Sequence, residues 1–287
     1  MVGYAVATPQ AEEASSKNDI VADETRVFLW DDGVPGFESR ADIPEIAKDY
    51  YVKQVNNPSL TIYRPKAGTA NGTSAIILPG GGHGLLVINS EGRDAAQYLA
   101  ARGVTAYVLR YRLFREDGSP YVIEDALADT ERAVRIVRAR AETDGTDPSR
   151  VGIMAFSAGG ELARMALLSP PAAPLGAGDE IDNLSSRPDF GILVYPGPLK
   201  GDVETITADS PPVFMVATND DECCSAPVIE ILSAYNKAGA SAEAHIYAEG
   251  GHAFNMGKRT KIKNLAAWPD RLTEWMAQRG LLDALVP

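Results

Sequence analysis

The order of apolar and polar positions along the chain predicts an alternation of strands and helices. Residues 59–63 alternate polar and apolar side chains, which is typical of an antiparallel edge strand. Most of the remaining predicted strands are short and almost wholly apolar, as strands buried on both faces of a sheet are. These other predicted strands are 75–78, 105–109, 151–156, 190–195, 213–217 and 242–247.

Helical spacing of apolar residues separates these strands. The predicted helices are 91–102, 121–142, 161–168, 226–238 and 264–279. The longest has an inward stripe, formed by Val122, Ala126, Ala133 and Val137. Buried strands that alternate with helices predict an α/β fold, a mostly parallel central sheet with helices on both faces. Ligands of such sheets bind at the carboxyl ends of the strands.

The chain is predicted to contain one folded domain, because no internal repeat or linker separates two cores. Residues 1–26 are interpreted as a flexible N-terminal lead-in, and residues 27–287 as a single α/β domain. Ala5-Val6-Ala7 resembles a signal-peptidase site, although the apolar segment that should precede it is missing. This motif suggests a secreted or periplasmic protein, with a cytoplasmic location as the alternative.

Composition excludes several kinds of partner. The net charge of −12 and the pI near 4.8 argue against binding to nucleic acid or to anionic lipid. No segment has the roughly 20 continuous apolar residues that a membrane helix needs. The adjacent Cys223 and Cys224 are interpreted as semi-buried thiols. No histidine lies near them in the sequence, so no metal site is predicted.

Ser157 is the candidate nucleophile. The segment Ala155-Phe156-Ser157-Ala158-Gly159-Gly160 lies where an apolar strand meets a helix, and a serine on such a turn is directed outward above the sheet. An ordinary serine at a helix N-terminus is the alternative interpretation. The position of the turn at a strand end favours the catalytic one.

Of three histidines, His252 is the best candidate for a general base. It follows two glycines in a loop directly after the last predicted strand, whereas His245 lies within that strand and His83 follows an earlier glycine run. The candidate acid comes after the strand 213–217. Either Asp220 or Asp221 could serve, and we favour Asp220 because adjacent side chains diverge.

Glycines 80–82 follow the strand 75–78 and predict an oxyanion hole. Without side chains, the backbone N–H groups of Gly81 and Gly82 could approach a substrate carbonyl, together with that of Ala158. A phosphate-binding loop is the rival interpretation. It would need Lys followed by Ser or Thr after the glycines, and these are absent.

With these motifs, the chain resembles the carbohydrate-esterase-like branch of the α/β-hydrolases, which includes acetyl xylan and feruloyl esterases. The resemblance covers residues 29 to 280 and is more distant to dipeptidyl-peptidase-like hydrolases. It is specific for the family and not for the substrate. Its motifs are Leu29-Trp30, Gly33-Val34-Pro35-Gly36, Pro79-Gly80-Gly81-Gly82, Leu109-Arg110-Tyr111-Arg112-Leu113, Ile153 to Gly160, Arg187-Pro188-Asp189-Phe190 and Gly250-Gly251-His252.

The resemblance implies a triad of Ser157, Asp220 and His252, because the acid of the peptidase-like relatives stands at the same spacing before the histidine. Two departures affect the expected pocket. His83 stands where an aromatic residue is frequent, and Glu161 stands where a histidine is common. Both are therefore expected to border the substrate site. Ala155 for glycine and the cysteine pair for two apolar residues are further departures.

These inferences predict a serine carboxylesterase that forms an acyl-enzyme on small acyl esters such as acetyl esters of carbohydrates. The expected partner is a small-molecule or carbohydrate ester, with no nucleic acid, membrane, metal or cofactor. The sequence leaves the oligomeric state open. Alternatives are a peptidase or amidase of the same fold, or a non-catalytic binding member. The absence of a large recognition domain argues against the first, and the intact candidate triad argues against the second.

Overall fold

The computed structural model describes residues 22–168, 179–198 and 203–284. Its centre is an eight-stranded sheet with the order β1-β4-β6-β5-β7-β8-β9-β10, and β2 and β3 form a separate antiparallel pair. The strands are β1 Ala22–Phe28, β2 Ile46–Ala47, β3 Val52–Lys53, β4 Ser59–Tyr63, β5 Ser74–Leu78, β6 Thr105–Arg110, β7 Val151–Phe156, β8 Phe190–Val194, β9 Val213–Thr218 and β10 Ala242–Tyr247.

Helices cover both faces of this sheet. The α-helices are α1 Asp94–Ala100, α2 Ile123–Ala139, α3 Ala141–Asp144, α4 Ala158–Leu168, α5 Ser225–Ala238, α6 Lys263–Ala266 and α7 Trp268–Gln278. A π-helical turn, Ile88–Arg93, leads into α1, and short 3₁₀ turns are Glu38–Arg40, Glu180–Asn183 and Val203–Thr205. Apolar side chains from α2, α4 and α5 share one core cluster, and those from α1 and α7 share another.

The predicted α/β class is confirmed. Within the eight-stranded sheet of the described residues, the pairs β1–β4 and β4–β6 are antiparallel, whereas the pairs from β6 through β5 to β10 are parallel. The parallel strands place their carboxyl ends at one edge, where Leu78 pairs with Ala155, and Tyr247 pairs with Thr218. The loops after these strands therefore leave the sheet side by side.

Four sequence expectations need correction. Ser59–Tyr63 is antiparallel but not an edge strand, because β1 lies outside it. That strand begins at Ala22, so residues 22–26 belong to the sheet and not to a flexible lead-in, while residues 1–21 lie outside the described part. Val122 is exposed because it precedes the first turn of α2. The last predicted helix is divided, since Pro269 stands in the first turn of α7.

A buried ion pair connects the end of β6 to α2. The Arg112 guanidinium contacts the Asp129 carboxylate at 2.7 Å, and both side chains are fully buried. The same carboxylate accepts a hydrogen bond from the Arg112 backbone N–H. The attraction between two buried charges offsets the cost of their desolvation only when each charge is also hydrogen-bonded. In the described residues, no helix combines the length and the apolar character needed to span a bilayer.

Candidate active site

The turn between β7 and α4 holds Ser157 in a left-handed conformation. Its φ is +49°, a region that costs a non-glycine residue about 1–2 kcal/mol. The turn is kept by hydrogen bonds from Ser157 N–H to the Val194 carbonyl and from Gly160 N–H to the Ser157 carbonyl. A Cβ on Gly159 would lie 2.3 Å from the Leu78 carbonyl oxygen, so this position requires glycine. The strained turn directs the hydroxyl away from the sheet, as predicted.

The loop after β10 brings His252 to this hydroxyl. The distance from His252 Nε2 to Ser157 Oγ is 2.9 Å, within the range for proton transfer. Gly251 precedes the histidine with φ +63°, and its carbonyl accepts a hydrogen bond from the Thr218 hydroxyl. The two residues that the sequence analysis paired as nucleophile and base are therefore in contact.

The carboxylate that holds the histidine is Asp221, and the prediction of Asp220 is wrong. Asp221 Oδ2 lies 2.7 Å from His252 Nδ1, and the Asp221 side chain is buried. The divergence of neighbouring side chains does separate the two aspartates. However, the strand ends at Thr218 and the chain turns there, with Asp221 N–H donating to the Thr218 carbonyl, so the second aspartate faces inward.

Asp220 instead supports the histidine loop from outside. Its exposed carboxylate accepts hydrogen bonds from Gly251 N–H at 2.9 Å and Gly250 N–H at 3.0 Å. These backbone donors, that of Gly251 first, hold the pKa of Asp220 below its usual value. The two adjacent aspartates therefore contact the same loop, one through the imidazole and one through the backbone.

Glycines 80–82 pass directly beside the serine. A Cβ on Gly80 would lie 2.8 Å from Ser157 Cβ, so only glycine allows this approach. The Tyr111 hydroxyl donates to the Pro79 carbonyl at 2.6 Å and fixes the start of the loop. Among hydrogen bonds between described residues, none uses the N–H groups of Gly81, Gly82 or Ala158. Backbone N–H groups without a protein acceptor are one requirement of an oxyanion hole, and the assignment of these three groups to it stays a prediction.

His83 and Glu161 occupy a different place from the one expected. Both side chains are buried, and His83 Nε2 lies 2.6 Å from Glu161 Oε2. They therefore present no surface to a substrate, which corrects their predicted role in substrate binding. The contact joins the glycine loop to α4, and the His83 ring lies 4.5 Å from that of Phe114. The contact between His83 and Glu161 therefore holds the glycine loop against α4.

Sequence reasoning missed Glu91, whose carboxylate is buried behind the site. Its Oε2 accepts a hydrogen bond from Gly80 N–H at 2.7 Å, and its Oε1 accepts one from the Tyr195 hydroxyl at 3.0 Å. Burial raises the pKa of Glu91, an effect that these hydrogen bonds oppose. Glu91 stands in a polar run, 89–91, which gives no sequence signal of burial.

Glu91 is connected to the histidine through Tyr195, and Asn255 hydrogen-bonds to both Glu91 and Tyr195. The Tyr195 ring centroid lies 4.7 Å from that of His252. The Asn255 amide nitrogen donates to Glu91 Oε1 at 3.1 Å and to the Tyr195 hydroxyl at 2.9 Å when its oxygen accepts from Ser90. One buried carboxylate thus connects the glycine loop to the residues packed around His252.

Replacing Glu91 with glutamine is expected to lower kcat by up to about 100-fold with a smaller change in KM, because an amide would place donors against donors and displace the glycine loop. Steady-state kinetics on a chromogenic ester would measure this split. Glu222→Gln is the matched control, since Glu222 is exposed in the loop between β9 and α5. A proportional loss of kcat and folded protein would instead assign Glu91 a purely structural role.

The cysteines also differ from expectation. Cys223 and Cys224 are joined by a disulfide bond and are not two free thiols. Cys224 is buried directly before α5, whereas Cys223 is exposed. Cys223 N–H donates to Asp221 Oδ1 at 3.2 Å. The disulfide therefore lies in the loop that carries the carboxylate.

A serine, a histidine and a carboxylate joined in this way at the carboxyl edge of a mostly parallel sheet are typical of the α/β-hydrolase fold. The family model BD-FAE matches residues 60–185. The acetylxylan esterase of Xylanibacter ruminicola is 29% identical over 234 residues, which cover 69% of this chain and 45% of that protein. The chain thus spans about half the length of this curated relative.

Solved structures agree on the fold. The acetyl ester-xyloside bifunctional hydrolase of Caldicellulosiruptor lactoaceticus has a TM-score of 0.73 and 23% identity, covering 91% of this chain and 98% of that one. The thermophilic esterase Est2 of Thermogutta terrifontis has a TM-score of 0.67 and 25% identity, covering 78% and 88%. The chain has the α/β-hydrolase fold, and its sequence is similar to that of an acetylxylan esterase.

Proposed function

We propose that the protein is a serine carboxylic-ester hydrolase that forms an acyl-enzyme on Ser157. The observation that carries the proposal is the continuous hydrogen-bonded chain from Ser157 Oγ through His252 to Asp221. The two contacts, at 2.9 Å and 2.7 Å, have the lengths of normal hydrogen bonds. The strained serine turn and the adjacent glycine loop support the same function, because they position the nucleophile and the oxyanion donors beside each other.

In the proposed reaction, His252 Nε2 takes the Ser157 proton while Oγ attacks the ester carbonyl carbon. The N–H groups of Gly81, Gly82 and Ala158 stabilise the resulting oxyanion. The His252 imidazolium, held by Asp221, then protonates the leaving alcohol as the carbon–oxygen bond breaks. Water attacks the acyl-enzyme with His252 again acting as base, and the carboxylic acid and free Ser157 are released.

The proposed substrates are small acyl esters, in particular acetyl esters of carbohydrates. The similarity to an acetylxylan esterase and to an acetyl ester-xyloside hydrolase supports this choice. The net charge of −12 suits a neutral substrate better than an anionic one. The carbohydrate part of the proposal rests on similarity, whereas the ester chemistry rests on the site.

We expect kcat/KM to fall from p-nitrophenyl acetate through butyrate to octanoate. A long apolar acyl groove would add about 0.8 kcal/mol per buried methylene group and reverse this order. Release of acetate from acetylated xylo-oligosaccharides tests whether the alcohol part of the substrate is a carbohydrate. Hydrolysis of an acetylated amine, measured in parallel, tests the preference for esters over amides. A maximum at octanoate, or faster cleavage of the amide, would contradict the proposed substrate class.

A further inference from the structure

Four side chains with metal-ligand chemistry meet behind the serine. Asp221, Cys223, Cys224 and His252 each place one ligand atom within 4.8 Å of the other three. Asp221 and Cys224 are buried, whereas Cys223 and His252 are exposed. The group therefore has a fixed inner side and an opening to solvent. Sequence analysis predicted no metal site here, because the histidine comes from the loop after β10, whereas the cysteines come from the loop after β9.

Two sulfurs, one imidazole nitrogen and one carboxylate oxygen form a ligand set typical of a tetrahedral Zn²⁺ site. Such ligands stand about 2.0–2.3 Å from the ion, which puts them roughly 3.3–3.8 Å from one another. Side-chain movements of about one ångström would bring this cluster to that geometry. The sulfurs, however, are now bonded to each other and cannot act as thiolate ligands.

We propose that reduction of the Cys223–Cys224 disulfide creates a binding site for a thiophilic divalent cation of the Zn²⁺ class, and that the bound ion disables the triad. The inhibitory half of this proposal rests on the proposed esterase function, whereas the binding half does not. Soft thiolate ligands select such ions over Mg²⁺ or Ca²⁺. The class of ligand follows from the sulfurs.

The reductive step uses a dithiol. The dithiol gives two electrons and two protons, the Cys223–Cys224 bond breaks to two thiols, and the reductant is oxidised to its own disulfide. Binding of the cation then releases the two thiol protons, because the ligands are thiolates. The Asp221 carboxylate coordinates without a proton change.

The bound ion would act on the histidine through its tautomer. His252 Nδ1 is the ring nitrogen that faces Asp221. A neutral imidazole that coordinates through Nδ1 carries its proton on Nε2. Nε2 would then donate toward Ser157 instead of accepting its proton, so the serine could not be activated. The ion would also take the Asp221 carboxylate that orients the ring.

Cobalt(II) is the probe for binding, because thiolate coordination gives it a charge-transfer absorption that oxygen and nitrogen ligands alone do not give. The full chain is reduced with a dithiol, desalted without oxygen, its thiols are counted, and CoCl₂ is titrated in. We expect one thiolate-bound Co²⁺ per chain for the reduced wild type, and none for the oxidised wild type or the double variant Cys223→Ser, Cys224→Ser.

His245→Asn is the matched control. His245 also contacts a carboxylate, since its Nε2 lies 2.8 Å from Glu243 Oε1, but it is not a member of the metal-ligand cluster. The control should therefore keep the cobalt absorption. Absence of the absorption in the reduced wild type, or its persistence in the double cysteine variant, would overturn the proposed site. Thiolate-bound cobalt in the protein before reduction would overturn its dependence on the disulfide.

In the activity measurement, the rate of ester hydrolysis by each protein with Zn²⁺ is compared with its rate without metal. Zn²⁺ is expected to lower ester hydrolysis by the reduced wild type about 100-fold or more, reversibly on addition of a chelator, as loss of a general base does. The oxidised wild type and the double cysteine variant should keep their rates. Equal inhibition of all three would show that the ion acts elsewhere. If the metal-free wild type is inactive, the proposed function fails while the cobalt result still decides the site.

Discussion

The Ser157→Ala variant is expected to lose about 10⁶-fold in kcat on p-nitrophenyl acetate. The reason is that the variant retains the oxyanion loop and His252 but has no atom that can form the acyl-enzyme. Alanine occupies the same left-handed turn, with φ +49° in the wild type, so the fold should survive. Steady-state rates with matched thermal unfolding curves measure both effects.

A serine outside the site provides the control for this variant. Ser149 is exposed and hydrogen-bonded to Asp147, away from the triad, so Ser149→Ala should retain wild-type rates. Full activity of the Ser157→Ala protein would show that another residue is the nucleophile. If Ser157→Ala loses both activity and folding, labelling of Ser157 in the wild type with an organophosphate decides its chemical role.

The Asp221→Asn variant is expected to lose about 10⁴-fold in kcat, because an amide favours the wrong imidazole tautomer while keeping the geometry. Asp221 Oδ2 is the atom 2.7 Å from His252 Nδ1, and its other oxygen accepts from Cys223 N–H. The asparagine nitrogen would face one of these donors. Kinetics at saturating ester, on both sides of neutral pH, measure the loss.

Asp220→Asn is the matched control in the adjacent residue. It removes the same charge, but its amide oxygen can still accept from Gly250 or Gly251 N–H. One lost hydrogen bond is worth about 1 kcal/mol net, so the expected loss is less than about tenfold. A larger effect at Asp220 than at Asp221 would contradict the triad that the structure shows.

Periodicity predicted the parallel strands well, because their apolar runs have one physical explanation, burial on both faces. The strand 151–156, which is buried at every position, was predicted at its observed bounds. The first strand was missed because Ala22–Phe28 is mostly polar and is defined by its pairing with β4. Pairing partners far away in sequence leave no local pattern.

The site shows the same division between local and distant information. Ser157 and His252 were predictable, because each requires a local turn that its own neighbours encode. The choice between Asp220 and Asp221 depended on how the chain turns after Thr218, which strand alternation does not describe. Glu91 and the metal-ligand cluster could not be predicted for a similar reason. Glu91 accepts from Gly80 on another loop, and the cluster needs His252 from the loop after β10.

The most direct test of Ser157 as an activated nucleophile is labelling with an organophosphate such as paraoxon, followed by peptide mass spectrometry. We expect one diethylphosphoryl group per chain, on Ser157, formed at a rate that parallels the loss of esterase activity and absent from Ser157→Ala. An active enzyme that carries the label on another residue, or that stays unlabelled and active, would contradict it.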